Sequence, residues 1–216
     1  MADQKEEKKA TNQNLSVMIK ETIILTVITL LSGLLLGYVH ELTKDPIRAQ
    51  EELAVQNACK AVFSNVSDVT FLQIQSQPSP SLEENLSRQG VTIGKIYSAT
   101  DAEGIPVGYV IETTSSEGYG GNIVLYVGVT NEGVLNAVSI LSISETPGLG
   151  MRAQEVLVPQ LQNKDVKQIK YTKNGATEED EIDAISGATI TTKAVTAAVN
   201  GALKMASELR GGEDDE

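Results

Sequence analysis

The residues whose types and spacing best suit chemistry in this chain are Asp183-Ala184-Ile185-Ser186-Gly187-Ala188-Thr189. A threonine hydroxyl follows a Gly-Ala pair, just ahead of a helix-like run. Gly187 permits positive φ and a close backbone approach, and Ala188 leaves space beside the threonine. Thr191 or Thr192 can cap the helix that follows. Its unpaired N–H groups and positive dipole end then favour a phosphate dianion near Thr189, and Lys193 adds local positive charge. A threonyl oxygen bonded to phosphorus is a phosphoester, so the loop suits permanent attachment of a phosphate-bearing group. A near copy, Asn174-Gly175-Ala176-Thr177, stands upstream. The acidic run at 178–181 behind it repels phosphate, which marks the copy as a decoy turn beside a solvated loop.

Two further segments could border a planar ligand. Residues 144–150 read Ser-Glu-Thr-Pro-Gly-Leu-Gly. Pro147 fixes φ, and Gly148 and Gly150 expose backbone N–H groups. Such a turn can lie flat on a ring, with Leu149 giving apolar contact and Thr146 a hydrogen bond, or it is an ordinary strand-to-helix turn. Gly118-Tyr119-Gly120-Gly121 is either a hairpin loop with an exposed tyrosine or part of a ring-binding wall.

Other chemistries are excluded or starved of residues. Cys59 and His40 are the single cysteine and histidine. An intrachain disulfide is impossible, and a Cys/His metal site lacks ligands. Triad chemistry would have to recruit His40 from the end of an apolar run. Cys59 reads as a small buried hydrophobe. The formal net charge is −12, and nucleic-acid binding needs a basic face. Lys5, Lys8, Lys9 and Lys20 balance Asp3, Glu6, Glu7 and Glu21, so the whole −12 lies beyond residue 40.

These segments need a scaffold, and 216 residues allow one medium domain plus an appendage. Residues 1–14 are polar and charged and read as disordered. Residues 15–39 are apolar enough to span a bilayer, which takes about 20 residues; Lys20 can snorkel and Tyr38 suits an interface. No small-residue cleavage site follows Val39, so an uncleaved anchor fits better than a signal peptide. The preceding lysines favour an inside N-terminus, though Lys44 and Arg48 follow closely. Asp45-Pro46 looks like a helix start, with helix-forming composition over 47–63. Residues 64–89 read as connecting loop with one strand near 69–74. Strand-like runs at 93–100, 107–114, 122–129 and 134–144, separated by Gly turns, read as an antiparallel meander. No βαβ rhythm and no G-x-G-x-x-G opening a helix are present, which argues against a Rossmann domain. Helix character returns at 153–162 and at 192–210, where Val195, Val199, Ala202, Ala206 and Leu209 share one face. Residues 211–216 are a helix stop and a solvated acidic tail.

Together the three segments resemble the FMN-binding domain shared by the RnfG component of Rnf electron-transport complexes and the NqrC component of sodium-pumping NADH:quinone oxidoreductases. That family's signature, Asp followed by Ser-Gly-Ala-Thr, is matched at Asp183 and 186–189; Glu-Thr-Pro-Gly-Leu-Gly is matched at 145–150, and Gly-Tyr-x-Gly at 118–121. The anchor followed by Thr43-Lys-Asp-Pro-Ile47 fits RnfG, as does the chain's length. Where the family often has His before Glu-Thr-Pro, this chain has Ser142 and Ser144, which removes an imidazole from the ring's surroundings.

The resemblance implies an α+β fold: an N-terminal transmembrane helix at 15–39, then an antiparallel-sheet FMN-binding domain with flanking helices at 40–210. It implies one covalent FMN, esterified to Thr189 by a flavin transferase. Ser186, Gly187, Ala188, Asp183, Glu145, Thr146, Gly148, Leu149, Gly118 and Tyr119 would contribute to the cofactor site. The implied function is an electron-carrying subunit of a membrane complex that moves electrons from ferredoxin to NAD⁺ and exports Na⁺ or H⁺. The isolated chain would have no independent catalysis. Its partners would be membrane redox subunits and lipid, with the N-terminus cytoplasmic and the FMN domain on the outer face. The residues leave open a stand-alone anchored flavoprotein, an NqrC-type component, and an anchored binding or structural domain without cofactor.

Overall fold

The apolar run lies within a single long helix, α1 (Asp3–Val62). Ile23, Leu25, Leu34, Leu35 and Leu36 are all more than half exposed, so the described residues supply little cover for them. Thr22, Thr26 and Thr29 donate their hydroxyls to the backbone carbonyls of Met18, Thr22 and Thr26 at 2.8, 2.8 and 2.9 Å. These three hydroxyls therefore expose no unpaired donor on an otherwise apolar surface. Among the described residues, α1 is the one helix long and apolar enough to cross a membrane. The computed structural model describes residues 3–64, 66 and 68–211, in two compact units, Met1–Glu52 and Leu53–Glu216.

Two expectations about α1 are corrected. Residues 3–14, read as disordered, have helical backbone. Lys, Glu, Gln and Ala dominate there, and these are strong helix formers despite their polarity. Met1 and Ala2 lie outside the described residues. Asp45-Pro46 does not start a helix, because Pro46 sits inside α1. Proline removes one N–H and one i→i−4 bond, a local defect that a helix continuing on both sides can span. In the preceding turn Thr43 Oγ1 donates to the Val39 carbonyl at 2.9 Å.

In the second unit, five strands pair in sequence order as an antiparallel meander, as the regular Gly turns predict. They are β1 (Thr70–Ile74), β2 (Val91–Thr100), β3 (Pro106–Ser115), β4 (Ile123–Thr130) and β5 (Leu135–Ser142). A bulge between Ile93 and Ile96 resets the alternation, so that both pack in the same core. On that face lie α2 (Pro80–Arg88) and α4 (Thr189–Leu209). The core there holds Ile111, Leu125 and Val127 from the sheet and Val195, Val199, Ala202 and Ala206 from α4. The helical spacing read from the sequence therefore packs as expected.

The second core forms around Ala58, Cys59, Val62 and Phe63 with Tyr97, Val110 and Tyr126. Asn136 Nδ2 donates to the Val62 carbonyl, capturing an orphan acceptor at the end of α1. Burial, and secondarily the Glu112 charge, push the Cys59 thiol up to about 12. Its thiolate fraction at neutral pH is then roughly a thousandfold below that of a free cysteine. Native protein is expected to resist a thiol-alkylating reagent at neutral pH and to label fully once unfolded. Rapid labelling of the native chain, read by mass, would contradict the inert assignment.

The region 64–89 is not merely a loop. It contains β1 where a strand was expected, and also α2, which was not. Ser79 Oγ accepts from Leu82 N at 3.3 Å and Pro80 opens the helix, a start signal that two nearby prolines obscure. Glu208 near the end of α4 receives both Ser79 N and Ser79 Oγ, at 3.0 and 2.5 Å. The helix expected at 153–162 is broken into a 3₁₀ turn at Gly150–Arg152, the short α3 (Ala153–Val156) and a 3₁₀ turn at Val158–Gln160. Pro159 prevents its continuation. Two short strands, β6 (Lys170–Thr172) and β7 (Glu181–Asp183), form a parallel pair that the acidic composition concealed. Residues 212–216 of the tail lie outside the described residues.

Candidate functional site

Helix α4 begins at Thr189 itself, so Thr189 is the first helical residue rather than part of a loop ahead of the helix. The turn before it is closed by Ala188 N donating to the Ile185 carbonyl at 3.0 Å. Gly187 takes the positive φ, +78°, at the third position of that turn, where a side chain would be strained. Ala188 is the N-cap and supplies no side-chain bond. The backbone N–H groups of Thr189, Ile190 and Thr191 consequently have no intrahelical acceptor. They add to the positive end of a 21-residue helix.

The expectation that Thr191 or Thr192 caps the helix is corrected, because both face inward. Thr192 Oγ1 donates to the Ala188 carbonyl at 3.0 Å and accepts from Ile185 N at 3.1 Å. Thr191 Oγ1 donates to Glu145 Oε2 at 3.1 Å. Among the described residues, Thr189 Oγ1 has no hydrogen-bond partner within the protein, and the residue is half-buried.

A cleft of about 540 Å³ opens beside this helix start, within the range of small-molecule sites. Tyr119, Glu145, Thr146, Leu149, Gly187, Ala188 and Thr189 border it. All seven are among the residues singled out from sequence, and they come from three segments well apart in the chain. Gly150, Ile190 and Thr191 also border it and were not singled out as site residues. Gly150 stood within the matched turn and Thr191 stood only as a candidate helix cap, whereas Ile190 carried no local signal beyond following Thr189.

Four expected residues lie elsewhere. Ser186 and Gly148 are exposed beside the cleft without bordering it. Gly118 stands behind the Glu145 carboxylate, where an added Cβ would meet Glu145 Oε1 at 2.8 Å. Asp183 points its carboxylate to the upstream copy and accepts from Ala176 N at 2.7 Å. Glu181 Oε2 accepts from Thr177 N at 3.1 Å. These two N–H groups of the copy are therefore already taken by carboxylates, which removes donors for phosphate and adds negative charge.

The residues present fit a nucleotide-like flavin. Leu149, Tyr119 and Ile190 offer apolar surface and are 41%, 72% and 51% exposed, enough for contact with a planar ring. The helix start offers N–H donors and positive potential for a phosphate.

Residues 118–204 match the FMN-binding domain family, and residues 8–62 match the RnfG N-terminal region. The RnfG-type component of the Na⁺-translocating ferredoxin:NAD⁺ oxidoreductase complex of Acetobacterium woodii is 31% identical over 213 residues, covering 94% of this chain and 99% of that protein. Its counterpart in the proton-translocating ferredoxin:NAD⁺ oxidoreductase complex of Clostridium ljungdahlii is 30% identical over 88% of this chain and 91% of its own length. The counterpart in the ion-translocating oxidoreductase complex of Shewanella oneidensis is 28% identical over 86% of this chain and 88% of its own. A crystal structure of Shewanella oneidensis NqrC overlaps 65% of this chain and 80% of that one, with 17% identity and a TM-score of 0.44. With a relative this similar from end to end, an apolar N-terminal helix and an FMN-binding domain, the chain belongs to the RnfG family of ion-translocating oxidoreductase components.

Proposed function

We propose that this chain carries one FMN as a phosphoester on Thr189 and relays electrons between redox subunits of a membrane complex of the ferredoxin:NAD⁺ type. The observation that carries the reading is the cleft itself: a free threonine hydroxyl at a helix start, facing apolar side chains from two other segments. FMN supplies reversible one- and two-electron chemistry when bound.

The chain's own residues do the holding. Thr189 Oγ1 anchors the phosphorus. The N–H groups of the first helical turn would donate to the phosphate and offset its charge in an acidic protein. Leu149, Tyr119 and Ile190 would offer the ring apolar contact and limit water, while Thr146 would offer a hydrogen bond. Gly118 leaves room for the Glu145 carboxylate behind the cleft wall. Ser186 and Asp183 flank the attachment segment outside the cleft, and Asp183 holds the upstream turn through Ala176 N.

The same reading places residues 15–39 of α1 in lipid, the N-terminus in the cytoplasm and the FMN domain on the outer face, where a covalent tether prevents loss of cofactor. The lysines at positions 5, 8, 9 and 20 support that orientation. Relatives of Na⁺ and H⁺ type are similarly close, so the coupling ion is left as either.

The test is intact-mass measurement on the chain purified from native membranes. One FMN phosphoryl group is expected, on the peptide that holds Thr189, with other membrane redox subunits co-purifying. An unmodified chain from its native host would end the covalent reading; a flavinylated chain that purifies alone would favour a stand-alone carrier.

A further inference from the structure

Three threonines crowd the start of α4, at positions 189, 191 and 192, yet the fold treats them differently. Thr192 is fully buried and bonded to the Ile185–Ala188 turn. Thr191 is 1% exposed, and its hydroxyl is held by Glu145. Glu145 is itself only 8% exposed, and its carboxylate reaches a second segment by accepting from Gly120 N at 3.3 Å. On the sides of Gly150 and Gly118 the pair is tightly packed. A Cβ on Gly150 would meet Thr191 Oγ1 at 2.5 Å and Glu145 Oε2 at 2.8 Å, and one on Gly118 would meet Glu145 Oε1 at 2.8 Å.

One carboxylate thus joins the 144–150 turn, the Gly-Tyr loop and the first turn of α4. A buried carboxylate needs such donors, and charge-assisted bonds are stronger than neutral ones. We propose that Glu145 and Thr191 form a positioning brace: it sets the spacing of the cleft walls, orients the first turn of α4 and withdraws the Thr191 hydroxyl, leaving Thr189 as the free threonine at the helix start. The selection of Thr189 rests on the FMN reading above; the brace itself does not. Glu145 is then a positioning residue whose carboxylate faces protein donors, not a ligand to the flavin.

Consequences follow for each wall. Without the Thr191 hydroxyl, Glu145 is left with one donor in a buried place and turns toward water. Gly120 then loses its acceptor, and the Tyr119 side chain beside it is no longer held over the cleft. Thr191→Ser restores the hydroxyl and therefore the brace. Glu145→Gln keeps a carbonyl acceptor for Gly120 N and can reach the Thr191 hydroxyl only through a neutral amide donor, so the charge-assisted strength of both bonds is lost.

The experiment uses the full-length chain in two forms. In protein made without flavin transferase, amide exchange at Gly120 reads the brace alone. Thr191→Val and Glu145→Gln are each expected to speed that exchange about tenfold, the scale of one charge-assisted hydrogen bond, and Thr191→Ser to return it to the parent rate. In flavinylated protein, Thr191→Val is expected to keep its adduct on Thr189, at reduced yield and with an altered visible absorption band, both recovered by Thr191→Ser. Parent-like exchange at Gly120 in both Thr191→Val and Glu145→Gln overturns the brace, as does an adduct on Thr191 in the parent chain. Should Thr191→Val fail to fold, Glu145→Gln gives the same reading. If the parent chain accepts no flavin at all, the FMN reading falls while the Gly120 measurement still decides the brace.

Discussion

Replacing Thr189 with alanine is expected to remove all covalent FMN from the chain while leaving the fold intact. The hydroxyl oxygen is the bridging atom of the proposed phosphoester, so the loss should be complete rather than graded. Stability should barely change. Thr189 is half-buried and its hydroxyl bonds to no other group of the protein among the described residues, a setting in which substitutions alter stability by about 0.5 kcal/mol or less. Thr177→Ala should retain the adduct, because that turn donates to Asp183 and Glu181 rather than facing the cleft. Intact mass and in-gel flavin fluorescence, alongside a thermal melt, separate these outcomes. An adduct surviving in Thr189→Ala would sink the assignment. Thr191 and Thr192 are buried, and the other cleft hydroxyls, on Thr146 and Tyr119, belong to segments other than the helix start.

The second large effect is expected at Gly120. A Cβ there would lie 2.0 Å from the Ser144 carbonyl oxygen, a backbone atom that cannot swing aside as a side chain can. Gly120→Ala must push the Gly-Tyr loop away from the 144–150 turn and so pull Gly120 N from Glu145. Overpacking of this kind costs about 1–3 kcal/mol, or roughly 2–4 °C of melting temperature per kcal/mol in a domain of this size. Flavinylation should fall with it, because two cleft walls separate. Tyr119→Ala makes the contrast. Tyr119 is 72% exposed, so its removal should leave the melt unchanged while altering the flavin absorption band. Equal melts for Gly120→Ala and the parent chain would show that the loop and the 144–150 turn are less tightly apposed than the close approach implies.

Why the local devices were legible while some neighbours were not is a matter of range. Alternating residues and Gly turns announced β2 to β5, and the four- and three-residue spacing from Val195 to Leu209 announced the buried face of α4, because both patterns are set by the period of a single element. The signals that failed were also local, but in competition. Ser79-Pro80 is a sound helix start, yet Pro78 beside it reads as loop. Pro46 reads as a helix boundary, yet a long helix runs through it. Pro159 broke a run whose other residues suit a helix.

By itself the sequence determined that there is one long apolar segment, an antiparallel meander and a threonine behind a Gly-Ala turn where a helix starts. Each follows from residues adjacent or nearly so, whose backbone preferences and solvation act without help from the rest of the chain. Only the tertiary structure decided which residues meet. It turned Asp183 away to the upstream copy and brought Thr191 to Glu145 across 46 positions, and Gly120 to Glu145 across 25. No local preference encodes such pairings. They arise because a buried carboxylate must find donors wherever sheet and helix packing bring them, and that requirement leaves the Thr189 hydroxyl unbonded at the edge of the cleft.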